Sequence, residues 1–356
     1  MSEPDVDLVI ALHDLTRPVG RAASSALAGD ADGVRVTIAC HELAAADVEA
    51  SLPEDVRGRV RLLEVRDGLG SPSGPFNAGL DAATARYVTI MGSDDYVEPG
   101  ALRAWADAAD AASADVVLAP MRHQSGERIP TPRVRPGRHR RLDRVKDRLA
   151  YRTAPLGLMR REVLDRHALR LTPGMRSGGD VAFTVRLWSL PLRVDLAARA
   201  PRYVVGADAV TRVTTAVRPV TQELQAWDHL LREDWFAALD PAWRRAVAIK
   251  AVRIHLLGAA RRRPRAQMWH DGEAAWLGEL TRGWVGAAPG VLRPQARADR
   301  DLLDVMLAPT TEEALAAASA RRAVAGRRDQ ALTRELAGNL ERESVLRHYV
   351  GLRLRR

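Results

Sequence analysis

Residues 87–100 read YVTIMGSDDYVEPG, and this stretch constrains the fold more than any other. Tyr87, Val88, Thr89, Ile90 and Met91 are aromatic, β-branched and apolar, the composition of a strand buried on both faces. Gly92, Ser93, Asp94 and Asp95 then place two adjacent carboxylates where that strand must end, before Glu98-Pro99-Gly100 turns the chain into an Ala-rich helical pattern. Two readings of the acids stand at this point. Hard divalent cations such as Mg²⁺ or Mn²⁺ take oxygen ligands, often one or two carboxylates plus substrate phosphates. Asp is also common in turns and at helix N-caps, where it accepts backbone N–H bonds.

Just upstream, residues 74–85 read GPFNAGLDAATA. The combined block GPFNAGLDAATARYVTIMGSDDYVEPGAL resembles the core of the family-two glycosyltransferases of the GT-A fold, in which an Asn-x-Gly helix start, a short strand and an Asp-rich motif follow at this spacing. The resemblance implies an α/β fold, Rossmann-like with a mainly parallel sheet flanked by helices. It also implies transfer of a sugar from a nucleotide-diphosphate sugar to a hydroxyl acceptor with inversion, aided by Mn²⁺ or Mg²⁺. Asp94 matches the family's metal-binding position, with Asp95 as the adjacent supporting carboxylate. The equivalents of Ala11, Leu12, His13 and Asp14, and of the loop after the second strand (His41 and Glu42 here), hold the nucleotide; Asn77 and Ser93 fall in the matching donor elements. This chain departs from the family in three places. Cys40 and His41 stand where an acid is usual, Phe76 replaces an Arg before the Asn, and Gly92 replaces the first acid of the metal motif.

The rest of the first half fits a parallel sheet. Residues 6–12, 34–39 and 60–65 are β-branched, apolar strand candidates, with a helical pattern at 21–28 and a further strand expected at 115–120. In open α/β sheets ligands bind beyond the carboxyl ends of the strands. His13-Asp14, Cys40-His41-Glu42, the loop from Asp67 to Gly74 and Asp94-Asp95 are therefore expected along one edge.

Residues 153–190 include TAPLGLMRREVLDRH and SGGDVAFTVRLW, which resemble the family's acceptor half. Asp180 matches the catalytic base, although Gly179 stands where the family commonly has Glu. From the residues alone, Asp180 is equally an N-cap for the helix that follows. Between the two halves, residues 121–148 carry RPGRHRRLDRVKDR. They read either as a solvated basic loop or as a cradle meeting phosphate groups of the acceptor.

Strand signals vanish after about residue 220, and helical periodicity returns in windows 221–239, 242–260, 267–284, 311–325 and 330–349. Two domains are expected: a GT-A catalytic domain over 1–215 and an all-α domain over 216–356. The tryptophans of the second read as core or as a carbohydrate platform. Its segment AVAIKAVRIHLLGAARRR, at 246–263, reads as a packed helix or as a peripheral contact with an anionic membrane.

With 356 residues and 46% apolar content the chain has ample material for two cores. The acidic start MSEPDVDLVIALHD and the lack of an apolar run near ~18 residues argue against a signal peptide or membrane span. A single cysteine, Cys40, excludes an internal disulfide framework and a multi-cysteine zinc site. A cytoplasmic protein is expected, with peripheral attachment at the inner face of the membrane as a variant. The balance of 54 Lys and Arg against 45 Asp and Glu favours phosphate-bearing partners. Basic-aromatic nucleic-acid motifs are absent, so nucleic acid is not an expected partner. The expected partners are the sugar donor, a glycan or polyol-phosphate-like acceptor, and a second copy through the helical domain. A non-catalytic scaffold of the same fold is the alternative that the three departures motivate.

Overall fold

The structure is a computed structural model and describes residues 4–29, 32–208 and 218–353. It divides into two compact units, Met1–Thr215 and Ala216–Arg356, whose junction lies within 209–217, outside the described residues.

The first unit is built on strands β1 (Val6–Leu12), β2 (Val34–His41), β3 (Arg61–Val65), β4 (Tyr87–Gly92), β6 (Val116–Leu118), β9 (Gly157–Arg160) and β10 (Val194–Leu196). They form one seven-stranded sheet in the order β10-β6-β9-β4-β1-β2-β3. Strands β1 to β4 pair in parallel, and β9 runs antiparallel to both β4 and β6. Helices α1 (Val19–Leu27), α2 (Ala45–Ser51), α3 (Ser73–Asp81), α4 (Ala101–Ala112), α5 (Arg161–Arg166) and α6 (Asp180–Ser189) accompany it. Nearly every residue of β1 and β4 is buried, as expected for central strands covered on both faces. A core cluster joins Leu8, Ile10, Ile38 and Met91 of the sheet to Ala22 and Ala26 of α1 and to Trp105 and Ala109 of α4.

Register fixes the functional edge. Ala11 pairs with both Ala39 and Gly92, and Leu12 pairs with Cys40, so the three strands end nearly level. The residues that follow must emerge together. Strand β2 runs through Cys40 and His41, two residues further than the sequence pattern suggested, which places both on the sheet rather than in the loop.

A smaller sheet escapes the sequence pattern except at Tyr203–Val205, whose aromatic and β-branched residues read as a strand that ends the sheet. This smaller sheet joins β5 (Tyr96–Val97), β11 (Tyr203–Val205), β7 (Met121–His123) and β8 (Arg128–Ile129) in the order β5-β11-β7-β8. Strands of two or three residues are too short to show a period. The basic stretch that follows β8 is not a loose loop. The buried Asp147 takes the backbone N–H of Arg135 at 2.9 Å and its guanidinium at 2.9 and 2.7 Å, while Arg141 N–H donates to Asp195 at 2.6 Å. The turn from Pro136 to Arg141 is the longest exposed run of this stretch.

The second unit is helical throughout its described residues apart from a single bridge between Ala296 and Thr333. Its longest helices are Glu273–Ala287, Glu312–Ala323 and Arg297–Leu307. Two expected helices are broken. The first becomes Val220–Glu223, Gln225–Arg232 and Asp234–Ala237, and the last becomes Arg327–Ala331, a 3₁₀ turn Leu336–Leu340 and Val345–Arg353. Trp227, Trp243 and Trp284 are buried, with Trp284 in edge contact with Trp227 at 5.9 Å and Phe236 at 5.3 Å between ring centroids. These tryptophans are core, so the carbohydrate-platform reading of them is set aside. The segment at 246–263 runs as Pro241–Lys250, a π-helical stretch Ala251–Leu256 and Leu257–Arg261, and most of its side chains are buried, in keeping with a packed helix. At its basic end Arg261 and Arg262 are exposed while Arg263 turns inward. Arg263 is fully buried, pairs with Glu223 at 3.0 Å and bonds the Arg218 carbonyl. Among the described residues no helix is long and apolar enough to cross a membrane.

Candidate functional site

The carboxyl edge of β1, β2 and β4 gathers His13, His41 and the Ser93-Asp94-Asp95 turn. The adjacent acids are split into two roles. Asp94 Oδ1 pairs with Arg17 Nη2 at 2.6 Å, and its Oδ2 has no protein partner among the described residues. Asp95 turns inward instead: Oδ2 accepts from the Tyr203 hydroxyl at 2.6 Å and Oδ1 from the Gly206 N–H at 2.9 Å. Burial pushes the Asp95 carboxyl up to about 6, against the pull of those two hydrogen bonds. The Tyr203 hydroxyl, fully buried against that charge, is raised well above its usual range. Each Asp95 oxygen thus accepts one bond that holds the turn beneath Asp94.

Gly92 makes room for this arrangement. A Cβ there would lie 3.0 Å from Asp95 Oδ2 and 3.1 Å from Asp94 Oδ1, closer than side chains normally approach. Gly206 is needed for a similar reason, since its Cβ would sit 1.8 Å from the Asp94 carbonyl oxygen. That carbonyl also accepts from Arg21 Nη2 at 2.5 Å; Arg21 in turn pairs with Asp208 and lies 4.8 Å over the Tyr96 ring.

On the β1 side, Asp14 Oδ1 accepts from both the backbone N–H and the hydroxyl of Thr16 at 2.8 Å, which holds its carboxyl below the usual range. Asp14 thus shapes the turn that aims Arg17. Arg17 Nε donates to the buried Ser93 Oγ at 2.6 Å. The His13 imidazole is held below its ordinary range by loss of water, with Arg17 adding to the effect, so it is neutral near pH 7. The charges of Asp14, His41 and Asp94 also act on it. Ala11 and Leu12 end β1 beneath this turn.

At the end of β2, the buried His41 Nε2 bonds Asp67 Oδ1 at 2.8 Å. The same oxygen accepts from Leu69 N–H at 2.9 Å, and Glu42 accepts from Gly68 N–H at 2.9 Å. These bonds hold the Asp67 carboxyl below the usual range, the Leu69 N–H contributing most. One ligand atom each from His41, Glu42 and Asp67 lies within 4.8 Å of the others, so the three form a second place able to hold a cation. Asp67, which follows β3, is thereby brought beside the end of β2. Gly74 accommodates it, since a Cβ there would meet Asp67 Oδ2 at 1.8 Å.

Asn77 has a different task from the expected donor contact. Its Nδ2 donates to the Leu171 carbonyl and its Oδ1 accepts from the Leu171 N–H, both at 2.9 Å. Those bonds pin the chain leading to α6 onto α3. Ser71 adds a 2.7 Å bond to the Met175 carbonyl, and Gly179 packs so closely on Ser73 that a Cβ would lie 2.0 Å from its Oγ. Asp180, next in the chain, is the first residue of α6, while the N-cap position is Gly179. The alternative of Asp180 as N-cap is thereby replaced by a first-turn position, where the helix dipole favours a carboxylate. The sequence pattern singled out neither Arg17 nor the Tyr203 hydroxyl, and marked Asp67 only as the start of a loop, although each holds a residue of the expected site.

The parallel-rich sheet with acids at its carboxyl edge has the arrangement of the GT-A fold. Residues 46–168, about a third of the chain, match the model of glycosyl transferase family 2. Among curated proteins, the succinoglycan biosynthesis protein ExoO of Rhizobium meliloti is 36% identical over 117 residues, which is 32% of this chain and 32% of that protein. The aligned part thus spans about a third of the curated relative. Among solved structures, S. aureus TarS 1-349 in complex with UDP-GlcNAc superposes with a TM-score of 0.71 at 16% identity, covering 89% of this chain and 90% of that one. The same fragment with UDP gives a TM-score of 0.66 at 15% identity, with the same coverage. At these identities the likeness speaks for the fold.

Proposed function

We propose that the chain is an inverting glycosyltransferase that moves a sugar from a nucleotide-diphosphate sugar to a hydroxyl acceptor in the synthesis of a cell-envelope or surface polysaccharide. The observation that carries this reading is that the family-two segment contains both α3 and the β4 turn bearing Asp94. ExoO, named for succinoglycan biosynthesis, supports the polysaccharide, and the TarS complex with UDP-GlcNAc supports the donor class.

The residues suggest a division of labour. One carboxylate oxygen plus diphosphate oxygens is a sufficient donor set for a hard cation, so Asp94, through Oδ2, fits Mn²⁺ or Mg²⁺. When bound, such an ion neutralises charge growing on the leaving diphosphate. Arg21 fixes the Asp94 backbone carbonyl, and Asp95, held by Tyr203 and Gly206, locks the turn from beneath. The edge formed by residues 11–14, His41, Glu42 and Asp67 receives the nucleoside. Asp180 acts as the general base: it accepts the acceptor's proton while the hydroxyl oxygen attacks the anomeric carbon opposite the leaving group, which inverts that carbon. The exposed Arg138, Arg140 and Arg141 suit phosphate groups on a polyol-phosphate or glycan acceptor.

Asp180→Asn tests the central claim, because Asn keeps the size and removes the basicity. Transfer measured with a panel of nucleotide sugars is expected to fall by about 10²–10⁴, with the melting temperature and nucleotide binding retained. Near-normal transfer at saturating donor and acceptor would remove Asp180 from the chemistry.

A further inference from the structure

Arg17 has no part in the chemistry just described, yet its guanidinium is held between Ser93 and Asp94. The Asp14–Thr16 turn sets its backbone, Ser93 Oγ takes its Nε at 2.6 Å, and its Nη2 lies 2.6 Å from Asp94 Oδ1. Its side chain is only 10% exposed and that of Asp94 18%, so the pair is poorly screened by water. The contact falls on the carboxylate assigned to the divalent ion. A guanidinium and a divalent ion are rivals for one carboxylate, and here Gly92 and the inward turn of Asp95 leave no second acid to satisfy both.

We propose that Arg17 is a resident counter-cation of Asp94 that makes divalent-ion binding conditional on the nucleoside diphosphate. Without a diphosphate the guanidinium occupies Asp94 and opposes the ion. When the diphosphate arrives, its oxygens offer Arg17 a bidentate partner, and Asp94 passes to the ion. Ion and diphosphate then raise each other's affinity by the same factor, as linkage requires. This inference rests on the reading of Asp94 as the ion's ligand and adds the order in which the site fills.

The test is a calorimetric Mn²⁺ titration of the full chain, without and with saturating UDP, in wild type, Arg17→Gln, Arg17→Lys and Asp94→Ala. Wild type is expected to bind Mn²⁺ weakly alone and more tightly with UDP, the enhancement falling within the roughly 5- to 150-fold span usual for coupled sites. Arg17→Gln should bind Mn²⁺ alone about tenfold more tightly than wild type, within that same span, and the enhancement by UDP should collapse towards one. Arg17→Lys keeps the charge but cannot hold Ser93 and Asp94 together or grip a diphosphate bidentately, so its enhancement should also fall. An Arg17→Gln protein with unchanged or weaker affinity for Mn²⁺ alone, or an Arg17→Lys protein with wild-type enhancement, overturns the proposal. Asp94→Ala separates the two levels of inference. If it binds Mn²⁺ as wild type does, the ion is not at Asp94 and the underlying reading fails; if it loses Mn²⁺ while both Arg17 variants behave as wild type, only the coupling role of Arg17 fails.

Discussion

Asp7 and Asp94 stand at opposite ends of the same parallel strands, and each is paired with an arginine. Asp7, at the amino end, is fully buried and fully satisfied. Arg35 grips both its oxygens at 2.6 Å, and the N–H groups of Thr84 and Ala85 donate to Oδ2 at 2.8 and 2.9 Å. Burial alone would raise its carboxyl, but those four bonds outweigh it and hold it below the usual range. Asp94, at the carboxyl end, has one arginine on one oxygen and the other oxygen without a protein partner among the described residues. The same pair of residue types is fully bonded at one end and half bonded at the other, where we propose the ion binds. The number of donors per oxygen decides between them.

Asp7→Ala should break this contrast most severely. It leaves Arg35 and two backbone N–H groups without their acceptor, so a loss of about 3–5 kcal/mol of stability is expected in denaturant titration. Tyr203→Phe comes next. Removing the hydroxyl strips Asp95 Oδ2 of its donor in a buried place, and about 1–3 kcal/mol should be lost in the same measurement, with nucleotide binding weakened as the turn relaxes. The pH dependence sharpens the comparison further. Asp7, with a lowered native value, contributes stability that is present above the unfolded value and fades as pH falls through the native one. Asp95, raised to about 6, has the opposite sign: its contribution is present below the unfolded value and is lost as pH rises through about 6. Asp95→Asn should therefore flatten the decline in stability between about pH 4 and 6, read from melting temperatures. The smallest effect belongs to Asp94→Asn, for which a change of about 1 kcal/mol is expected because the Asn oxygen still accepts from Arg17, alongside a large loss of Mn²⁺ affinity. A loss of stability comparable to that of Asp7→Ala would erase the distinction drawn between the two ends.

How much of this was legible in the chain follows from the range of each interaction. Strands β1, β2 and β4 and the helical second unit announce themselves through local composition, because burial on both faces or one face leaves a pattern in neighbouring residues. Asp94 stands out through its place at a strand end. The direction of Asp95 has no such local mark, since it depends on Tyr203, 108 residues away. Asn77 likewise meets Leu171 across 94 residues. Arg17 carries no local mark at all in a chain with 54 Lys and Arg. The short strands of the second sheet other than Tyr203–Val205, set by pairing rather than by their own residues, were equally hidden.

The clasp of Tyr203 and Gly206 on Asp95 also sets an order in time. As the chain leaves the ribosome, the turn at 92–95 is made early, but the groups that hold it are among the last of the first unit to appear. Contacts of such separation pay loop-closure entropy before they return anything. A nascent chain halted before Tyr203 would carry the sheet's central strands and the Asp94 turn with Asp95 still unheld. The unit thus becomes competent at its edge only once its own synthesis is nearly complete.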